Sequence, residues 1–175
     1  MKIYAIGAIA LVLAAPAYAQ SAAEKTGVNS LAGVAPKTED FVLEAASSDM
    51  FEIESSKLAV ERADASTKTF AQQMIDDHQK TSMEMKQLVE SGKVKAAIPA
   101  AMTAAQQETL DKLKSLQGAD FTKQYHADQV DAHEDAVDLF KRYGEEGENA
   151  DLKAWAAKTR PALEHHLHMA QELNK

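Results

Sequence analysis

Cysteine is absent from this 175-residue sequence, proline occurs four times, and aromatic residues make up 6% of it. Without cysteine there is no disulfide framework, thiolate zinc site, cysteine nucleophile or iron–sulfur cluster. Basic residues are also scarce: 19 Lys and Arg against 27 Asp and Glu give a net charge of −8. That balance disfavours a nucleic-acid partner, which needs a basic stripe, and electrostatic docking to anionic lipid. Long hydrophobic runs are missing as well. The longest, Ile3 to Ala15, is too short to span a bilayer, which takes roughly 20 residues.

What that run does provide is a leader. Lys2 precedes it, Pro16 breaks it, and Ala17-Tyr18-Ala19 gives a small-x-small cleavage pattern. Residues 1–19 are therefore expected to be a signal peptide cleaved after Ala19, leaving an exported mature chain without a transmembrane segment, in the periplasm or membrane-associated in the envelope. Gln20 to Lys37 is rich in Ala, Ser, Gly and Lys without apolar period, which predicts a flexible linker. Residues 38–175 form the folded domain.

That domain carries helical rather than strand periodicity. Four long amphipathic segments are expected over about 39–63, 67–90, 120–143 and 150–173. A shorter helix opens at Thr103, with Gln106 completing a capping box. Gly144 and Gly147 read as loop residues after the third long segment, and Pro161 should kink or split the fourth. Short links join the first two and the last two segments, whereas some 25 residues separate the pairs. The expected fold is all-α: a ferritin-like antiparallel four-helix bundle whose long crossover carries one extra short helix.

Histidine is where chemistry concentrates. His78, His133 and His166 each fall on the apolar stripe of a different long helix, while the first helix offers Glu52 amid Ala45, Ser48, Ser55, Ser56 and Ala59. Counting from the first turn puts Glu52 and His78 nearly level. His133 and His166 are offset by roughly 9 Å at 1.5 Å per residue. Neutral imidazoles and a carboxylate suit a divalent transition metal such as Zn, Fe or Cu. Asp77, Tyr125 and Gln129 stand where they could support the ligands from behind. The competing reading is a core network of polar residues bonded to one another, setting helix register. Di-iron oxygen chemistry needs Glu-x-x-His on two helices, and Ile75, Val130 and Leu163 occupy the positions three before the histidines. No other nucleophile–base pair or phosphate loop stands out, so a catalytic role is not expected. Met83 with Met85 offers a copper reading, and His165 with His168, Glu164 and Glu172 a surface metal face. An ordinary core position for Met85 and a solvated face for the second set compete with these.

Phe41, Glu52, Leu58-Ala59, Phe70-Ala71, Met74 and Asp77-His78, followed by Ile98-Pro99, Phe121, Tyr125, Gln129-Val130, His133, Pro161, Leu163 and His166-Leu167, form a pattern. It resembles the exported bacterial domain-of-unknown-function family numbered 4142, over roughly residues 41–173. The resemblance implies a ferritin-like bundle and singles out Glu52, Asp77, His78, His133 and His166. It implies no established activity. The family's outer-membrane label finds no support in the residues, which lack the alternating segments of a barrel. Two roles follow as expectations: a periplasmic metal- or small-ligand-binding bundle that protects under envelope stress, or a non-catalytic structural protein that meets another envelope protein.

Overall fold

The computed structural model describes residues 20–175; the expected signal peptide lies outside them. Seven helices occur among the described residues: α1 (Ala22–Lys25), α2 (Val28–Ala32), α3 (Thr38–Arg62), α4 (Ala65–Glu90), α5 (Ala104–Ser115), α6 (Gly118–Glu146) and α7 (Ala150–Leu173). Local chemistry sets several of the starts. Asp64 accepts from the Thr67 amide to open α4, and Asn149 accepts from the Leu152 amide to open α7. The Thr103–Gln106 capping box opens α5 as expected.

Cross-helix bonds define the topology. Thr38 meets Tyr143 and Ser56 meets Tyr125, so α3 and α6 run antiparallel. Trp155 donates to Glu84 while His166 lies against Asp77, so α4 and α7 do too. The short links make α3–α4 and α6–α7 antiparallel hairpins. It follows that α4 and α6 point the same way, which demands the long crossover, and α5 within it packs on α3 and α6. The bundle is all-α, and this arrangement fits the ferritin-like expectation.

Three local expectations need correction. First, α6 does not stop at Tyr143 but continues through Gly144 to Glu146. Gly144 serves close packing: a Cβ there would lie 3.0 Å from the Ala157 amide nitrogen and 3.1 Å from its Cα, so α6 and α7 approach here nearly backbone to backbone. Second, α7 runs unbroken through Pro161. Third, residues 20–37 are docked rather than a free tether. Arg142, buried on α6, donates to Glu24, to the Val34 carbonyl and to Asp138, each at 2.8 Å. Asp40 accepts from the Ser21 amide at 2.8 Å and Glu44 from Gln20 at 2.7 Å. A polar, aperiodic segment gains order here from a buried ion pair rather than from apolar burial. We expect Arg142→Ala to release it, seen as faster tryptic cleavage after Lys25 and Lys37; an unchanged rate would show that the segment is held by something else.

The core is stratified. One apolar cluster, with Phe41, Phe140, Tyr143 and Trp155, fills the end of the bundle near the α6–α7 link. A second, with Phe70, Met74, Leu113, Phe121 and Tyr125, fills the opposite end. Between them lies a buried polar layer containing Asp49, Glu52, Ser55, His78, Gln129, His133 and His166. Burying polar groups costs free energy unless they find partners, so the bonding of this layer decides what it is for.

Candidate metal centre

Each of the three histidines projects from a different helix into the polar layer, at 3%, 1% and 3% exposure for His78, His133 and His166. Their ring centroids form a near-equilateral triangle with sides of 5.5, 5.6 and 5.5 Å. The 9 Å offset expected for the α6–α7 pair shrinks because α6 runs longer than its sequence pattern shows. The link centres on Glu148, which lies 15 residues after His133 and 18 before His166, so the offset is roughly 4.5 Å.

The bonding of each ring has one pattern. Nδ1 of His78 lies 2.8 Å from Asp49 Oδ1, Nδ1 of His133 lies 2.8 Å from the Gln129 carbonyl, and Nε2 of His166 lies 2.9 Å from Asp77 Oδ2. Carbonyls and carboxylates accept, so these nitrogens donate, and the proton of each neutral ring is fixed on its outer side. The remaining nitrogens, Nε2 of His78, Nε2 of His133 and Nδ1 of His166, are buried without any partner. One nitrogen from each ring lies within 4.8 Å of those of the other two, the only such cluster among the described residues. Three imidazoles on one ion at 2.0–2.1 Å have nitrogens about 3.4 Å apart. To share one ion the three would have to close by at most about 1.4 Å.

The supporting residues are partly those the sequence suggests. Asp77 orients His166 on the facing helix, not its neighbour His78. Gln129 serves through its main-chain carbonyl, while its side chain reaches Ser55 at 3.4 Å. Tyr125 bonds Ser56 at 2.9 Å and lies in the second apolar cluster, and burial raises its hydroxyl far above its ordinary value. Asp49 is the residue that sequence reasoning missed. It accepts from His78, from Thr81 at 2.9 Å and from Ser82 at 3.0 Å. The available signal was its position three residues before Glu52, on the same helical face.

Glu52 is buried beside the trio. Its Oε1 lies 3.8 Å from Nδ1 of His133, the side of that ring already committed to Gln129, and neither of its oxygens has a partner. The small residues around it serve helix approach: Ser55, Ser56 and Ala59 are fully buried, the two serines facing α6. The other sulfur and imidazole candidates are dispersed. Met83 is exposed whereas Met85 belongs to the first apolar cluster. His165 and His168 are both exposed, and Glu164 and Glu172 pair with Arg160 and Lys175.

Burial dominates the electrostatics of the layer. Burial pushes the Glu52 carboxyl up to about 7, against the nearby His78 and the Gln129 amide. Burial pushes the His133 ring down to about 3, helped by His78. It pushes His166 down to about 4, helped by His78 and His133 and opposed by Asp77. For His78, burial also disfavours the charged ring, but Asp49, with Glu52 and Asp77, outweighs it and raises the pKa.

These shifts give the metal-free fold a signed pH dependence. Below the ordinary histidine value of about 6.5, the unfolded chain binds protons at His133 and His166 that the folded chain refuses until about 3 and 4. From the ordinary carboxyl range up to about 7, the folded chain holds protons on Glu52 and on Glu44, which burial also raises to about 7. The unfolded chain lacks those two. Between about pH 4.5 and 6.5 these two pairs oppose one another. Below about 4.5 His133 and His166 together lower stability as pH falls, by up to about 2.7 kcal/mol per pH unit. They are joined by Asp64, Asp111, Glu148 and Glu172, whose carboxyls hydrogen bonds hold below the ordinary range, and opposed by Asp128 and Asp135, which burial raises. Above about 6.5 the folded chain keeps protons on Glu44, Glu52 and His78 that the unfolded chain has lost, so stability falls as pH rises through 7. Thermal melts of metal-stripped protein between pH 4 and 8 test this; stability climbing from 6.5 to 8 would contradict it.

A cleft of 120 Å³ between α4 and α7 reaches His78 and His166 from the surface, with Thr159, Ala162 and Leu163 on its α7 wall. No helix among the described residues is long and apolar enough to cross a membrane.

Fold and site together define an all-α bundle with a three-histidine cluster in its buried polar layer. The chain belongs to the family described as Domain of unknown function (DUF4142), which matches residues 23–173. No curated protein and no solved structure matches the sequence.

Proposed function

We propose that this protein binds one divalent transition-metal ion through Nε2 of His78, Nε2 of His133 and Nδ1 of His166, inside an exported helical bundle. The observation that carries the reading is that one nitrogen of each buried ring lies within 4.8 Å of one on each of the other two, while each ring has one nitrogen anchored to an oxygen and one without a partner. A self-satisfied hydrogen-bond network would use those inner nitrogens and the Glu52 oxygens; here they are unused. The donor set is neutral and nitrogen-based, which suits Zn, Fe or Cu. Glu52 supplies the compensating charge. Its proton, held by burial, would leave as the ion enters, offsetting part of the buried cation's charge without direct ligation.

Export rests on the leader pattern of residues 1–19, with a periplasmic or envelope-associated mature chain beginning at Gln20. The role that follows is to hold a transition metal in the envelope, which protects other components under metal or oxidative stress. The competing role is an envelope-protein contact in which His78 keeps its proton and the polar layer only sets register; its support is the completeness of the His78–Asp49–Thr81–Ser82 cluster.

Metal titration of untagged, stripped protein tests the proposal. At a hundredfold excess over Kd, stabilisation by binding is about 2.7 kcal/mol, or a Tm rise of roughly 5–10 °C for a domain of this size. An unchanged Tm with Zn, Fe and Cu alike would overturn it.

A further inference from the structure

We infer that the metal's fourth position is filled by a small external anion, admitted through the α4–α7 cleft and recruited by Lys80 and Lys158. This rests on the metal reading above. Three protein nitrogens leave a tetrahedral ion one position short, which is the arrangement of open rather than closed metal sites. No carboxylate joins the converging set. The cleft opens on His78 and His166, two of the three ligands, and gives solvent a route to the layer that holds them. Its 120 Å³ has room for a few waters at about 30 Å³ each, and so for an anion of a few heavy atoms rather than a metabolite-sized ligand.

The sign of the ligand follows from the charges around the cleft. Asp77 and Glu84 line it and offset its lysine charges, but each already accepts a ring N–H, Asp77 from His166 at 2.9 Å and Glu84 from the Trp155 indole at 2.8 Å. Lys80 and Lys158 line it from opposite walls, are exposed, and take part in no ion pair among the described residues. The ion's own two positive charges, with two unpaired ammonium groups at the cleft to offset its carboxylates, favour an anion such as azide, hydrogencarbonate or formate. The surface of an acidic protein, at a net −8, would otherwise repel such a ligand.

Cobalt(II)-loaded, untagged protein titrated with sodium azide tests this. The expected result is a saturable change in the visible cobalt spectrum. In a Lys80→Ala/Lys158→Ala double variant, cobalt stoichiometry stays at one and the azide Kd rises about fivefold to tenfold at low salt. That gap should narrow as ionic strength reaches 1 M, where screening acts over about 3 Å. A second variant, Ala162→Trp, fills the cleft and should slow azide entry at least tenfold with cobalt still bound. A cobalt spectrum indifferent to azide would overturn this inference and leave the metal site standing, as would equal Kd values in the two proteins. Failure to load cobalt would overturn both.

Discussion

Asp49→Ala is expected to destabilise the metal-free protein by about 3–5 kcal/mol, the range for removing one member of a buried ion pair. Asp49 is 6% exposed and accepts from His78, Thr81 and Ser82. Its loss strands the buried N–H of His78 and takes an acceptor from the half-buried hydroxyls of Thr81 and Ser82. It also removes the largest influence that raises the His78 pKa against burial. Asp49→Asn preserves shape and one acceptor, so its cost should be clearly smaller. Urea unfolding with an unchanged m-value measures the difference. A loss below about 1 kcal/mol for the alanine variant would mean that the pair is a surface-like contact, contrary to its burial.

The second large effect concerns His133. It is the most enclosed of the three rings and the one whose tautomer is fixed by a main-chain carbonyl, which cannot itself change protonation. His133→Ala should lower metal affinity by at least a thousandfold, since two nitrogens cannot replace three. Removing an orienting partner instead, as in Asp77→Ala, should cost only about 10–100-fold. The stability change runs the other way. His133 carries a buried nitrogen without a partner in the metal-free state, so its removal costs packing but also relieves an unmet polar group. A metal-free variant no less stable than wild type, yet unable to bind, is consistent with a site kept for its ligand. A purely structural histidine predicts a loss of about 1–3 kcal/mol on truncation, with no change in metal content.

How much of this was legible in the sequence depended on the range of the interaction concerned. The four long helices and the capped α5 were readable because apolar spacing and caps are local. The three core histidines were readable because each sits in phase with its own helix's stripe. Asp49 was not, because its role depends on the register of α4 against α3, which places Thr81 and Ser82 beside it. The docking of residues 20–37 was invisible for a similar reason: Glu24 and Arg142 are separated by 118 positions, and polar segments advertise no period. Gly144 misled because a glycine in a helix interior reads as a stop unless the facing Ala157 is known. Asp77 follows the same rule: it adjoins His78 in sequence yet bonds His166 across the bundle, since adjacency in sequence says little about which helix a side chain faces.

Metal analysis of untagged protein, loaded and then freed of loosely held ions, tests the central claim most directly. The account predicts one transition-metal ion per chain for the wild type, and none for His78→Ala, His133→Ala or His166→Ala proteins that remain folded. Substoichiometric metal in the wild type, or full occupancy surviving the loss of any one of the three histidines, would contradict it.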